Sequence, residues 1–294
     1  MFAVLGLPGL GVAILAWLTI RDPRQSDARE QGALSRARVP LNAAEPRAPE
    51  VSSKPHPSPR IVLATLWANS TFRHLLYAFS VFYFFMYGIA QWQPAFFIRS
   101  FDMQTGPLGT WLTVVYGVPA VFGMYLGGEW ASRYAYRNER LQLVAMAVIN
   151  GVFNAVVWAL IYFSDSGRSA FAWMAVACLG GNAIIGPMYA LPQTLVPANM
   201  RATATAIIFL SSNLIGMGLG PLAVGFVSDV FQPIFGRESL RYALLLFTPG
   251  YLWISWHLWA ASKTVAKDIE ATARMVGFEA DREVGRHSTA EFAE

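Results

Sequence analysis

Between Ala170 and Leu191, and again between Ala202 and Val227, the chain carries no charged side chain. Each run can cross a hydrocarbon core of about 30 Å as a helix, which takes roughly 20 residues. The first run contains Gly180, Gly181, Asn182, Gly186 and Pro187, and the second contains Gly216-Met217-Gly218-Leu219-Gly220-Pro221. In water that density of Gly and Pro would unmake a helix. In lipid it is tolerated, because neighbouring helices re-satisfy the freed backbone groups. Ser212, Gly216 and Gly220 recur every four residues, a small-residue face that lets two helices approach closely. Two readings of that face are open: a fixed packing seam, or a bend at Gly220-Pro221 that moves as the protein works.

Further apolar runs occupy residues 2–20, 74–98, 108–128, 141–163 and 242–261. A chain that is 55% hydrophobic and 14% charged, with a mean hydropathy of +0.39, does not describe a soluble domain. The fold class expected is all-α: a polytopic membrane protein of about seven transmembrane helices. Phe2 follows Met1 directly, with no basic segment before the apolar core, so residues 1–20 read as a span whose preceding partners are missing and not as a signal peptide. Residues 21–60 are Arg, Pro, Ser, Ala and Glu with few large apolar side chains, the composition of a flexible linker. Ile61 to Arg73 reads as a short amphipathic surface helix leading into the membrane. Domains of 1–20, 21–73, 74–262 and 263–294 follow. In the last, Val265, Ile269, Thr272 and Val276 keep helical spacing in a charged tail that lies on the membrane surface or against the protein.

Polar residues inside the spans are the functional candidates. Ser80, Tyr83, Tyr87 and Gln91 follow spacings of three, four and four, one side of a helix, while Phe82, Phe85, Ile89 and Trp92 occupy another. Such a stripe turns toward a cavity or a neighbouring helix, away from lipid. Tyr83, Tyr87 and Gln91, with Asn182 and Asn213 from the Gly-rich runs, are the candidates for a substrate path; cross-helix bonding is the competing reading. Asn150 and Asn154, one turn apart, are placed to clamp helices together. No Asp, Glu, Lys or Arg lies within the span limits given.

Enzyme chemistry finds no foothold. No phosphate-binding Gly-x-x-x-x-Gly-Lys-Ser/Thr loop, His-Glu-x-x-His or Gly-x-Ser-x-Gly occurs, and Gly216, Gly218 and Gly220 have the wrong spacing for a dinucleotide fingerprint. The histidines at 56, 74, 257 and 287 are scattered, with His74 and His257 near span ends, where an interfacial location is expected. Cys178, the single cysteine, sits in a span as a small buried hydrophobe, so neither a disulfide nor a metal centre is expected. No catalytic residue and no cofactor is assigned.

Charge gives an orientation. Nine basic residues lie between the first two spans, three follow the third, Arg201 follows the fifth and five lie in the tail. Only Arg99, Arg168, Arg237 and Arg241 fall on the other side. The richer side faces the cytoplasm, which puts the linker and tail on the cytoplasmic side of the membrane, expected to be a bacterial inner membrane. The same placement accounts for the basic pI near 9.3 without a nucleic-acid partner.

Gly128-Glu129-Trp130-Ala131-Ser132-Arg133 resembles the Gly-x-Leu-Ala-Asp-Arg loop signature of the major facilitator superfamily, with Ser132 in place of the acid. The run from Gly216 to Gly225 resembles its glycine-proline helix. Four stretches are similar to the spinster-like branch: Gly6-Leu-Pro-Gly9 with Arg21-Asp-Pro23, Gln91-Trp92-Gln93-Pro94-Ala95-Phe96-Phe97, Thr105-Gly106-Pro-Leu-Gly109-Thr110-Trp111, and Leu214 to Pro221. The resemblance implies that span one is the sixth helix of a complete transporter and the rest its C-terminal six-helix half. Gly128, Arg133, Ser212, Gly216, Gly220 and Pro221 would then pack or gate helices. It further implies secondary active transport of small organic or amphiphilic, lipid-like solutes by alternating access. The partners implied are membrane lipids and either the missing N-terminal half or a second copy. The alternative is a non-transporting membrane protein, an accessory half-subunit or an inactive fragment.

Overall fold

The computed structural model describes the backbone of residues 59–291 and of Leu15, Leu18 and Thr19, with the side chains of residues 60–274 and of those three. Most of the span expected at 1–20 and nearly all of the linker therefore lie outside the described residues. Those that are described form helices and no strand. Helix α1 is Pro59–Ala68, α2 is Ser70–Phe101 and α3 is Thr105–Tyr134. The next rod is composite: α4, Glu139–Ile149, runs into a π-helical stretch, Asn150–Val157, and then α5, Trp158–Tyr162. Another is broken between α6, Gly167–Asn182, and α7, Ile185–Thr194. Helices α8, Arg201–Phe235, α9, Ser239–Phe247, and α10, Gly250–Glu291, complete the bundle.

Among the described residues five helical runs are long and apolar enough to cross a membrane, the last of them Ala198–Arg274, 77 residues. At about 1.5 Å per residue that run would be roughly 115 Å long, far more than one crossing. It is two antiparallel rods, because Gly236 ends α8 at φ 54°, a backbone conformation that costs glycine nothing. The other ends are chemically marked. The Asn69 side chain accepts from the Phe72 N–H at 2.8 Å to start α2, Asn138 does the same for Leu141 at α4, and Ser166 for Ser169 at α6. Each such cap is worth about 1 kcal/mol. Asp102, in the left-handed region at φ 52°, closes α2.

Helix α2 is the hub, packing on α8 along one side and on α10 along another. Gly88 and Gly220 face each other so closely that a Cβ on Gly88 would stand 3.0 Å from the Gly220 carbonyl oxygen. Ser212, Gly216 and Gly220 are buried on this seam, and Trp92 Nε1 donates to the Pro221 carbonyl at 2.8 Å. At one end of the bundle the Thr71 N–H donates to Asp268 Oδ2 at 2.7 Å, joining α2 to α10. At the other, Asp102 pairs with Arg237, and Glu238 takes both Arg241, at 2.7 Å, and the Ser100 hydroxyl, at 3.0 Å.

The structure adds detail at three of the expected features. The surface helix expected over 61–73 is α1 alone, ending where Asn69 caps α2, and its Val62 and Leu66 are buried in the core. Helix α10 continues through the expected limit at 262, and the start of the tail lies against the bundle, with Val265 buried and Thr272 donating to the Leu195 carbonyl at 3.0 Å. In α3 the glycines that approach a neighbour are Gly123 and Gly127, whose Cβ atoms would collide with the Leu179 and Ala183 carbonyls, whereas Gly128 faces open space. Consecutive glycines at 127 and 128 differ by about 100° of helix turn, so only one points its Cβ direction at the α6–α7 rod, although the Gly128 Cα would still touch a Cβ on Gly186 of α7 at 3.7 Å.

Candidate functional site

A strip of aromatic and amide side chains crosses α2, α7 and α8. The three-and-four spacing puts Tyr83 and Tyr87 on one side of α2, their rings 5.6 Å apart. The Tyr83 hydroxyl shares a short hydrogen bond with the Tyr189 hydroxyl on α7, and Tyr189 stacks on Phe209 of α8 at 5.3 Å. Tyr87 donates to Asn213 Oδ1 at 3.3 Å, while Asn213 Nδ2 is committed to the Phe209 carbonyl one turn back at 2.8 Å. Ser80 is buried at the start of the strip and Gln91 is exposed at its end. The structure thus brings Tyr83, Tyr87 and Asn213 together, leaves Gln91 as an open donor and acceptor beyond them, and adds Tyr189. A sequence signal for Tyr189 exists: it lies two turns beyond Asn182 in the same uncharged run.

Asn182 stands elsewhere. Its amide donates to the Cys178 carbonyl at 2.7 Å, and it lines an internal cavity of about 130 Å3 with Tyr116, Asn154, Trp158 and Tyr251. Two helix irregularities meet at this cavity, the π-helical stretch and the break between α6 and α7. The π-helix carries Asn150 and Asn154, and Asn154 donates to Asn150 Oδ1 at 3.1 Å. Asn150 reaches α10, donating to the Tyr251 carbonyl at 2.7 Å and to Ser255 Oγ at 3.0 Å. Gly181 lets Asn154 in; a Cβ there would stand 2.5 Å from Asn154 Oδ1. The Tyr116 hydroxyl is buried without a partner, so the cavity offers it room for water. Gln93, fully buried, accepts from the Tyr162 hydroxyl at 3.0 Å. Sequence reading passed over Tyr116, Gln93, Tyr162 and Tyr251, each a lone polar tip on an apolar run.

The last turns of α3 hold an internal ion pair, Glu129 with Arg133 one turn on, and the Arg133 side chain is largely exposed. Ser132, at the position of the signature's acid, bonds the Glu129 carbonyl. Two larger apolar grooves, of about 680 and 750 Å3, lie toward the Asp102–Arg237 end and away from the strip. Among the described residues no group of three His, Cys, Asp or Glu is placed to hold a metal ion. The strip can hydrogen-bond a neutral polar group and stack on an apolar body. It supplies no fixed charge.

The chain has similar counterparts among known proteins. It is 29% identical over 189 residues to an "MFS-type efflux pump" of Mycolicibacterium smegmatis, a match that covers 64% of this chain and 44% of that one. Its fold is that of a bacterial homologue of the human lysosomal transporter Spinster. The TM-score is 0.63 against the inward-facing unoccupied crystal structure, at 20% identity and covering 91% of this chain and 59% of the other. Against the inward-facing occupied form it is 0.59, also at 20% identity, covering 91% and 58%. The chain thus spans less than two thirds of each of these relatives. Residues 1–221 match the family model of the Major Facilitator Superfamily, and this multi-pass integral membrane protein belongs to that superfamily.

Proposed function

We propose that the chain forms the C-terminal half of a secondary active transporter that moves small organic or amphiphilic solutes by alternating access. The Tyr83–Tyr87–Gln91 strip with Asn213 is half of its substrate path. One observation carries the reading: a row of hydrogen-bonding tips ends at an exposed amide, Gln91, on the helix around which the bundle packs. Polar groups facing lipid are penalised, so this face calls for a polar counterpart. In this superfamily's fold that counterpart is the other six-helix bundle.

The chain spans only 44% and 59% of the two kinds of relative, which supports a further statement: alone, it is incomplete and does not transport. In this reading residues 1–20 are the sixth helix, residues 74–262 the second bundle, and the linker and tail lie in the cytoplasm of a bacterial cell. The spinster-like motifs favour a lipid-like solute. Gly216, Gly220 and Pro221 form the seam about which α8 moves, with Gly128 and Arg133 at the cytoplasmic gate.

The test is a chimaera joining this chain to the N-terminal half of the mycobacterial efflux pump. Tyr87→Phe removes one hydrogen bond, worth about 0.5–1.5 kcal/mol, so uptake should fall about two- to tenfold at unchanged expression. Gln91→Leu should do at least as much. Wild-type transport by both variants would remove the strip from the path. An inactive wild-type chimaera at normal expression would favour the non-transporting reading.

A further inference from the structure

His74 of α2 and His257 of α10, 183 residues apart, point their Nδ1 atoms at one another across 2.9 Å. Expected only near span ends, the two histidines meet: their ring centroids are 5.1 Å apart and His257 is 5% exposed. Aromatic rings enclose the pair. From His257 the centroids of Trp253, Trp256 and Tyr77 lie at 4.1, 4.7 and 5.5 Å, and Trp256 lies 6.0 Å from His74.

We infer that His74 and His257 form a single proton-binding site that ties α2 to α10 and holds one proton per pair. The hydrogen-bond inventory sets the stoichiometry. In the neutral pair one imidazole donates its Nδ1–H and keeps a bare Nε2, while the other accepts at Nδ1 and carries its hydrogen on Nε2. His257 Nε2 is buried with no partner and His74 is only half-buried. Of the two tautomers, the one in which His74 donates puts the bare Nε2 on the half-buried ring, where its lone pair can meet a proton from water. That proton forms an N–H bond on His74 and breaks none. The product is an imidazolium whose Nδ1–H···Nδ1 bond to His257 is charge-assisted and stronger than the neutral one. A second proton finds no free lone pair. It would have to break the bond and set two cations 2.9 Å apart.

The surroundings act on that charge in both directions. Cation–π attraction from tryptophan and tyrosine acts within about 6 Å of a ring. The charged and titratable groups flanking the pair are Arg73, Tyr77, Lys263 and Asp268. Arg73, next to His74, directs its guanidinium to the Trp67 carbonyl of α1 and opposes further positive charge. Lys263 stacks on Trp259 at 3.4 Å, and the Asp268 carboxylate, nearer the start of α2, accepts from the Thr71 N–H. Proton uptake on this pair would act directly on the α2–α10 seam. The site lies off the Tyr83–Gln91 strip and does not depend on its assignment.

The experiment is 15N NMR of the histidine-labelled full chain in lipid from pH 8 to 5, with His74→Gln and His257→Gln for assignment. The expected result is a through-bond Nδ1–Nδ1 coupling in the wild type, with the two rings shifting together in one step that takes up one proton. In His257→Gln the coupling should vanish and His74 should titrate as an isolated imidazole. Two independent titrations in the wild type, or a His74 curve unchanged by His257→Gln, would overturn the assignment. The wild-type coupling decides the matter even if a variant fails to fold.

Discussion

Gly216→Ala tests the packing of α8 on α2 at a single atom. The added Cβ would stand 2.8 Å from Tyr83 Cβ and 2.9 Å from the Tyr83 carbonyl oxygen, whereas carbon atoms rest at about 3.5–4.0 Å. The neighbours are backbone and a Cβ, so no side-chain rotation relieves the clash, and the helices must part by roughly 1 Å. Overpacking of this kind costs about 1–3 kcal/mol. Replacing glycine by alanine inside a helix returns about 1 kcal/mol, leaving a net loss of about 0–2 kcal/mol. The control is Gly218→Ala, two residues on, where nothing lies within 4 Å of the new methyl group and only the gain applies. Gly216→Ala should therefore be about 1–3 kcal/mol less stable than Gly218→Ala. Reversible unfolding of the two variants in mixed detergent micelles measures that difference directly. Equal stabilities would refute the close approach of α8 and α2 at this residue.

Other expectations follow from the same contacts. Asn150→Leu removes the bonds to Tyr251 and Ser255 and should cost about 0.6–2 kcal/mol in the same unfolding assay; an unchanged midpoint would mean α10 is held without this clamp. Asp268→Asn should loosen the start of α2, read as faster hydrogen exchange at Thr71, whose N–H it now accepts; unchanged exchange would show that the cap of Asn69 suffices. For topology, cysteines at Ser53 and Ser288 in a Cys178→Ser background should resist an impermeant thiol reagent in intact cells. Labelling at both before lysis would reverse the proposed orientation.

Much of the architecture was legible because lipid removes options. A helix in hydrocarbon must be long and free of charge, so Arg99, Arg201 and Lys263 at the ends of such runs mark the crossings in the sequence itself. The four-residue spacing of Ser212, Gly216 and Gly220 likewise reads as one face, because small side chains have little else to offer. What that face meets is set by Gly88 and Tyr83 on another helix, and no local pattern encodes the pairing. The polar interior was harder to read. Gln93 lies two residues from Gln91, yet one is fully buried against Tyr162 and the other exposed, a distinction made by rotation about the helix axis once α2 has packed. The π-helical stretch at Asn150–Val157 has no breaker to announce it: Gly151 aside, its residues suit an ordinary helix. His74 and His257 became a pair only when α2 met α10, and their spacing in the chain carries no trace of it.

The account stands or falls on whether this bundle needs its counterpart. The direct measurement is uptake into liposomes containing residues 1–294 alone, under a pH gradient, beside the mycobacterial efflux pump, with labelled lysophospholipid and a panel of amphiphilic solutes. The account predicts gradient-dependent uptake by the pump of at least one solute and none by the short chain, whose strip lacks its opposing half. Gradient-dependent uptake by residues 1–294 would contradict it and point to two copies of the chain working as a complete transporter.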